Sequence, residues 1–321
     1  MTLVPTRRGL LALGAGAGAA FGGVASAAAA DPLASPLLLR RSRALPAAPR
    51  RIVALEFLLA ETLALLDLPP VGMSDKALYP GWIGVAVDRL QDTADLGTRQ
   101  QPSLEAIARL EPDLILGVAY RHAPLFDAFE AIAPTALMQF APGKAALTQL
   151  EAVFDMLGLI AAMTGRAALA PAVQAASERA FGEDRTRLEA ARRAGGGFAL
   201  LQELGLPDTY WVFTDDSMAA GIARRLGLRF WPAQRSPDGV RALRSDELLA
   251  LEDVDVGLIS FTDPSVTLAA KTSSVVWERA PAKREGRVSL IERNIWNFGG
   301  PGSAIRLSNA MTSAVLATPR G

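Results

Sequence analysis

The chain contains no cysteine, which excludes disulfides, thiolate nucleophiles, zinc ribbons and iron–sulfur clusters outright. Its single histidine, His122, leaves no His-rich metal site and no evident His-based triad. Net charge is absent too. The 33 Lys and Arg balance 33 Asp and Glu, which removes the usual electrostatic footprint of nucleic-acid binding. No G-x-S-x-G, P-loop or H-E-x-x-H pattern occurs. Gly195-Gly196-Gly197 precedes a predicted strand rather than a helix, so it is no phosphate cradle. No catalytic residue and no protein-bound metal or cofactor is therefore predicted. An exported hydrolase without a recognisable motif is the alternative, because Ser, Asp and Glu remain available.

Acidic residues are missing from the first thirty positions; the first is Asp31. Thr6-Arg7-Arg8-Gly9-Leu10-Leu11 leads into a mildly apolar Gly/Ala run that ends in small residues, Ala25-Ser26-Ala27 and Ala28-Ala29-Ala30. The paired arginines and modest hydrophobicity resemble a twin-arginine export signal over residues 1–30, removed to leave a periplasmic protein. With no cysteine after the run, lipid attachment there is excluded. Residues 31–49, rich in Pro, Ala and Arg, predict a flexible leader.

At 321 residues, half of them apolar, the chain suffices for two domains with their own cores. Arg51 to Leu55 reads as a buried strand, followed by a helix over Glu56–Asp67 that Pro69-Pro70 stops. A strand at Val71–Ser74, a helix at Leu104–Leu110 and a strand at Leu114–Val118 follow. A helix at Pro124–Ile132 and a strand at Thr135–Gln139 complete the first half. After two helical stretches, Ala145–Thr164 and Ala167–Arg193, the alternation resumes at Phe198–Leu201, Tyr210–Phe213, Val254–Ser260 and Val288–Ile291. A helix over about Pro301–Leu316 ends it. Alternating strands and helices imply parallel pairing with crossover helices. The predicted class is α/β: an N-terminal lobe (50–143), one long linker helix (144–166) and a C-terminal lobe (167–321). A helical link is stiff, because bending it breaks backbone hydrogen bonds.

Several segments resemble one known family. These are Arg51-Ile52-Val53-Ala54-Leu55-Glu56-Phe57, the G-x-R-x-x-P-x-L-E pattern of Gly97–Glu105, Leu110-Glu111-Pro112-Asp113-Leu114-Ile115, Val254-Asp255-Val256 and Trp296-Asn297-Phe298-Gly299. Together they resemble periplasmic ferric-hydroxamate siderophore-binding proteins of ABC importers, within the helical-backbone class of binding proteins. The likeness covers roughly residues 50 to 315. The P-D-L-I piece marks the whole class; the Gly97–Glu105 and Trp296 segments are the more specific ones.

The resemblance implies a monomer that captures an iron(III) siderophore outside the cytoplasmic membrane and delivers it to an inner-membrane permease. No nucleic-acid partner is expected. Iron arrives wrapped by siderophore oxygens, so the protein need supply no metal ligand. Aromatic walls and one or two charged donors suit such a cargo. Arg99 is the implied first donor. Tyr120 lies one position short of the family's tyrosine and Arg121 takes the aligned place, so either is the second. Trp82, Trp296 and Phe298 are the implied aromatic walls. The family's further cleft tryptophan, near Asp238-Gly239, is missing here. Glu61 matches the first-lobe docking carboxylate for the permease. The second-lobe position falls on Gly221, where Asp215 or Asp216 would have to stand in. Rival ligands are a catecholate complex, which wants more converging basic residues, cobalamin, and haem, for which His122 beside Tyr120 offers an axial ligand.

Overall fold

Apolar runs too short for helices become buried strands, and their order builds two sheets. The structure, a computed structural model, describes residues 32–139, 148–206, 208–260 and 265–319. The export-signal segment 1–30 lies outside the described residues. No helix among the described residues is long and apolar enough to cross a membrane.

The first lobe carries β1 (Leu38–Arg41), β2 (Ile52–Ala54), β3 (Gly72–Met73), β4 (Ala94–Asp95), β5 (Leu114–Val118) and β6 (Thr135–Met138). Their order in the sheet is β1-β6-β5-β2-β3-β4. β2 to β6 pair in parallel, and β1 joins β6 antiparallel. Its helices are α1 (Phe57–Leu65), α2 (Tyr79–Trp82), α3 (Leu104–Arg109), α4 (Ala119–His122) and α5 (Phe126–Glu130). All of β5 is buried, as expected of a strand covered on both faces. Successive residues of β2 divide between two cores: Ile52 and Ala54 face α1, whereas Val53 packs with Ile107, Ile115 and Phe129.

The leader expected over 31–49 is corrected by β1. Leu38 pairs with Met138 and Arg41 with Ala136, and Ser42 exchanges bonds with Thr135, its amide donating to the Thr135 carbonyl and its hydroxyl accepting from the Thr135 amide, both at 2.9 Å. Arg40 adds an ion pair with Asp127 at 2.6 Å and lies 3.9 Å over the Phe126 ring. The sequence hides this strand because it is an edge, mostly exposed, with arginines where a central strand has apolar residues.

Two helices link the lobes: α6 (Gln149–Met163) and α7 (Ala170–Ala190). Leu150 and Phe154 of α6 pack in the second lobe's core, and Met156 to Met163 in the first's. α7 runs the other way, from Ala170 and Val173 against the first lobe to Phe181 and Leu188 in the second. At 21 residues it is the longer, about 32 Å at the usual rise. The helix predicted over 144–166 is thus α6 in its described part. The element that spans both lobes over its full length is α7. Gly165, at φ +68°, makes the turn between them.

The second lobe carries β7 (Gly197–Glu203), β8 (Tyr210–Phe213), β9 (Arg229–Trp231), β10 (Val240–Leu243), β11 (Val254–Ile259) and β12 (Val288–Ile291). The order is β10-β8-β7-β11-β12, with β9 also on β7. β7, β9, β11 and β12 are parallel; β8 and β10 are antiparallel, which the purely alternating expectation did not include. Helix α8 (Met218–Leu226) follows β8. Three short helices, α9 (Leu268–Lys271), α10 (Val275–Arg279) and α11 (Pro281–Arg284), precede β12, and α12 (Pro301–Ala317) closes the fold.

Candidate ligand-binding site

In a parallel sheet, ligands meet the residues that follow the carboxyl ends of the strands. In the first lobe that edge collects Glu56 after β2, Asp75 after β3, Arg99 after β4, and Tyr120 and Arg121 after β5. Glu56 is central. It is the N-cap of α1, its Oε1 accepting the Phe57 amide at 3.1 Å. The same oxygen accepts from Arg99 Nη1 at 2.7 Å, while Oε2 accepts from Arg121 Nε at 3.3 Å and from the Tyr120 hydroxyl at 3.5 Å. Asp75 takes Arg99 Nε at 2.7 Å, and Arg121 Nη2 donates to the Tyr120 hydroxyl at 2.9 Å.

Arg99 is therefore buried between two carboxylates, its side chain 10% exposed, with its guanidinium 3.9 Å over the Phe57 ring. Burial opposes its charge, but Glu56 and Asp75 outweigh that and hold its pKa above the ordinary arginine value. Tyr120, 69% exposed, stands at the solvent side of the cluster. The sequence located Arg99, Tyr120 and Arg121 but not the carboxylate that joins them. Its signal was an acidic residue at the end of a buried strand, immediately before the apolar first turn of a helix, Phe57-Leu58-Leu59-Ala60.

The second expected group also assembles. Trp82, at the end of α2, meets Trp296 edge-on at a centroid distance of 4.9 Å, and Trp296 meets Phe298 at 5.4 Å. Phe298 in turn contacts Phe213, 5.9 Å away. The three predicted wall residues thus form one half-buried stack that crosses from the first lobe to the second, with Arg293 lying 5.2 Å from the Trp82 ring. Phe57 links the two groups through Tyr79, 5.5 Å away, the first residue of α2.

Three expectations are corrected. Glu61 is not a docking carboxylate on a solvated helix face. Every residue from Phe57 to Ala64 is buried, and Glu61 has no exposed surface. Its carboxylate accepts from the Gly300 amide at 2.9 Å, the Ser303 amide at 2.7 Å and the Ser303 hydroxyl at 2.6 Å. Those groups open α12, so a first-lobe side chain caps a second-lobe helix. Gly221 cannot host a docking carboxylate either. A side chain there would come within 2.6 Å of Thr148 and Leu150. Of the suggested stand-ins, Asp215 pairs with Arg224 at 2.7 Å and Asp216 accepts from Thr214 and Ser236.

His122 is no axial ligand. It is fully buried, Nδ1 accepts the Val118 amide at 3.0 Å, and Nε2 lies 3.0 Å from the Arg99 carbonyl. The first bond assigns the proton to Nε2, which donates to Arg99. Burial lowers the His122 pKa, keeping the ring neutral as a strut beneath the arginine loop.

Among the described residues, no group of three or more His, Asp or Glu is placed to hold a metal ion. A cavity of about 430 Å³ lined by Glu252, Asp253, Pro281, Arg284, Glu285 and Arg287 opens where β11 and β12 begin. It lies at the opposite ends of those strands from the candidate site.

The family model described as "Periplasmic binding protein" matches residues 52–293. The iron(3+)-hydroxamate-binding protein of Escherichia coli is 30% identical over 291 residues, covering 88% of this chain and 93% of that protein. The Fe(3+) dicitrate-binding periplasmic protein of the same organism is 26% identical over 250 residues, covering 77% of this chain and 78% of its own. Among solved structures, the Fe3+-Desferal-bound siderophore-binding protein of Vibrio cholerae superposes with a TM-score of 0.74 at 26% identity, covering 84% of this chain and 99% of that one. Two α/β lobes, a charged cluster and an aromatic stack at their strand ends, and these similarities agree: the chain belongs to the periplasmic binding protein family, whose members here are binding proteins rather than enzymes.

Proposed function

We propose that the protein binds an iron(III)-hydroxamate siderophore between its lobes and hands it, as a monomer outside the cytoplasmic membrane, to an ABC permease. The observation that carries the choice of ligand is the charge balance of the first-lobe cluster. Arg99 and Arg121 meet Glu56 and Asp75, so two positive charges face two negative ones. Such a cluster supplies strong donors to carbonyl and hydroxamate oxygens without a net field for a polyanion. A triscatecholate or citrate complex would call for uncompensated cations. Arg99 and Arg121 serve as charged donors and Tyr120 as a hydroxyl donor. Trp82, Trp296 and Phe298 give contact area at small entropic cost. The E. coli relative named for iron(3+)-hydroxamate binding supports the same reading.

Titration of tryptophan fluorescence tests it. A ferric trihydroxamate quenches the signal saturably, and the iron-free ligand does so less deeply. Quenching by ferric citrate, a ferric triscatecholate or haem, with none by any trihydroxamate, would replace the ligand class.

A further inference from the structure

We infer that Glu56 and Asp75 determine ligand charge, by neutralising the arginines that grip the ligand. This rests on the ligand reading above and goes beyond it, since it assigns selectivity to acidic residues that do not belong to the expected donor set. Both are almost wholly withdrawn from solvent: the Glu56 side chain is 7% exposed and that of Asp75 8%. Little water stands between them and the arginines they pair with, so the neutralisation is set at short range, whereas a ligand beside the cluster feels the net charge partly through solvent that salt screens.

The geometry divides Glu56 evenly, one oxygen to each arginine, at 2.7 Å for Arg99 and 3.3 Å for Arg121. Asp75 holds the remaining side of Arg99 through Nε and also accepts its backbone amide at 3.2 Å. His122 is neutral, and burial and Glu56 raise the Tyr120 pKa so that its hydroxyl keeps its proton; neither shifts the sum. The donors stay aimed and ionised, yet the pocket wall they form carries no net charge. A neutral complex keeps its hydrogen bonds there. An anionic complex gains from the arginines roughly what it loses to the carboxylates.

Removing one carboxylate charge should then convert selectivity. At low ionic strength, Glu56→Gln is expected to tighten binding of a ferric triscatecholate by about tenfold or more relative to a neutral ferric trihydroxamate, the scale of one uncompensated charge near a partly buried ligand. Asp75→Asn should act in the same direction. Arg121→Gln, at a side chain 21% exposed, should move the ratio the opposite way. Raising the salt should shrink each shift, which loss of shape alone would not do. Circular dichroism melts identify which variants fold, and Arg121→Gln carries the test if neither acidic variant does. If the unaltered protein binds no trihydroxamate, the ligand reading fails. If it binds one and the folded variants leave the ratio unmoved, or move it without salt dependence, the inference about charge is wrong.

Discussion

The Ser303 amide donates to the Glu61 carboxylate at 2.7 Å, joining the middle of α1 in one lobe to the first turn of α12 in the other. Pro301 in that turn lacks an N–H, and among the other first-turn amides Glu61 takes those of Gly300 and Ser303. Ser177 of α7 reinforces the same place, its hydroxyl 3.4 Å from the Pro301 carbonyl. The lobes are thereby fixed by a buried capping interaction as well as by their helical links.

Glu61→Ala should lower stability by roughly 2–4 kcal/mol, through a lost helix cap and buried amides left without an acceptor. Denaturant unfolding measures it. A change within error would show that the cap is dispensable.

The same carboxylate has a pH signature. Burial raises its pKa, and the donors from Ser303, Gly300 and Gly302 only partly offset that; Tyr79 is the titratable neighbour. The folded protein therefore holds this proton more tightly than the unfolded chain does. The stabilising contribution is fully present below about pH 4.3 and is lost as pH rises through the raised pKa. Glu61→Gln stays neutral throughout. The stability of the unaltered protein minus that of Glu61→Gln should decline from about pH 4 upward. A flat or rising difference would show that the donors, not burial, dominate.

Arg99→Ala should cost about 3–5 kcal/mol of stability in addition to weakening ligand binding, because it leaves Glu56 and Asp75 buried without their shared cation. Adding Glu56→Gln should recover part of that loss. Thermal melts of the two variants decide it, and additive effects would dissolve the proposed coupling.

Starting the chain at residue 50 rather than 32 should lower the melting temperature by several degrees, since it exposes the β6 edge and removes the Arg40 contacts. Equal melting temperatures would return residues 32–49 to the status of a leader.

How much of this could be read in advance depends on burial. Strands β5 and β11 fall within a residue of where their apolar runs predict, because a covered strand must be apolar. The edge strand β1 and the short β4 obey no such demand and went unseen. Arg99, Tyr120, Arg121 and the aromatic stack were legible through spacing and resemblance. Glu56 and Glu61 were not, because an acidic side chain beside an apolar helix ordinarily reads as a solvated one. Only the tertiary neighbours, two arginines in one case and the start of α12 in the other, reveal them as buried. Gly221 follows the same rule: its lack of a side chain reflects the approach of α6, not a lost docking group.

The measurement that bears most directly on the account is the visible absorption of a ferric trihydroxamate that co-elutes with the protein in gel filtration. If the protein grips the complex by its periphery, through guanidinium, hydroxyl and aromatic rings, iron and ligand should travel together with the protein in equal amounts. The charge-transfer band should then match that of the free complex. Failure to co-elute, or a band displaced because a protein group has entered the iron's coordination shell, would contradict it.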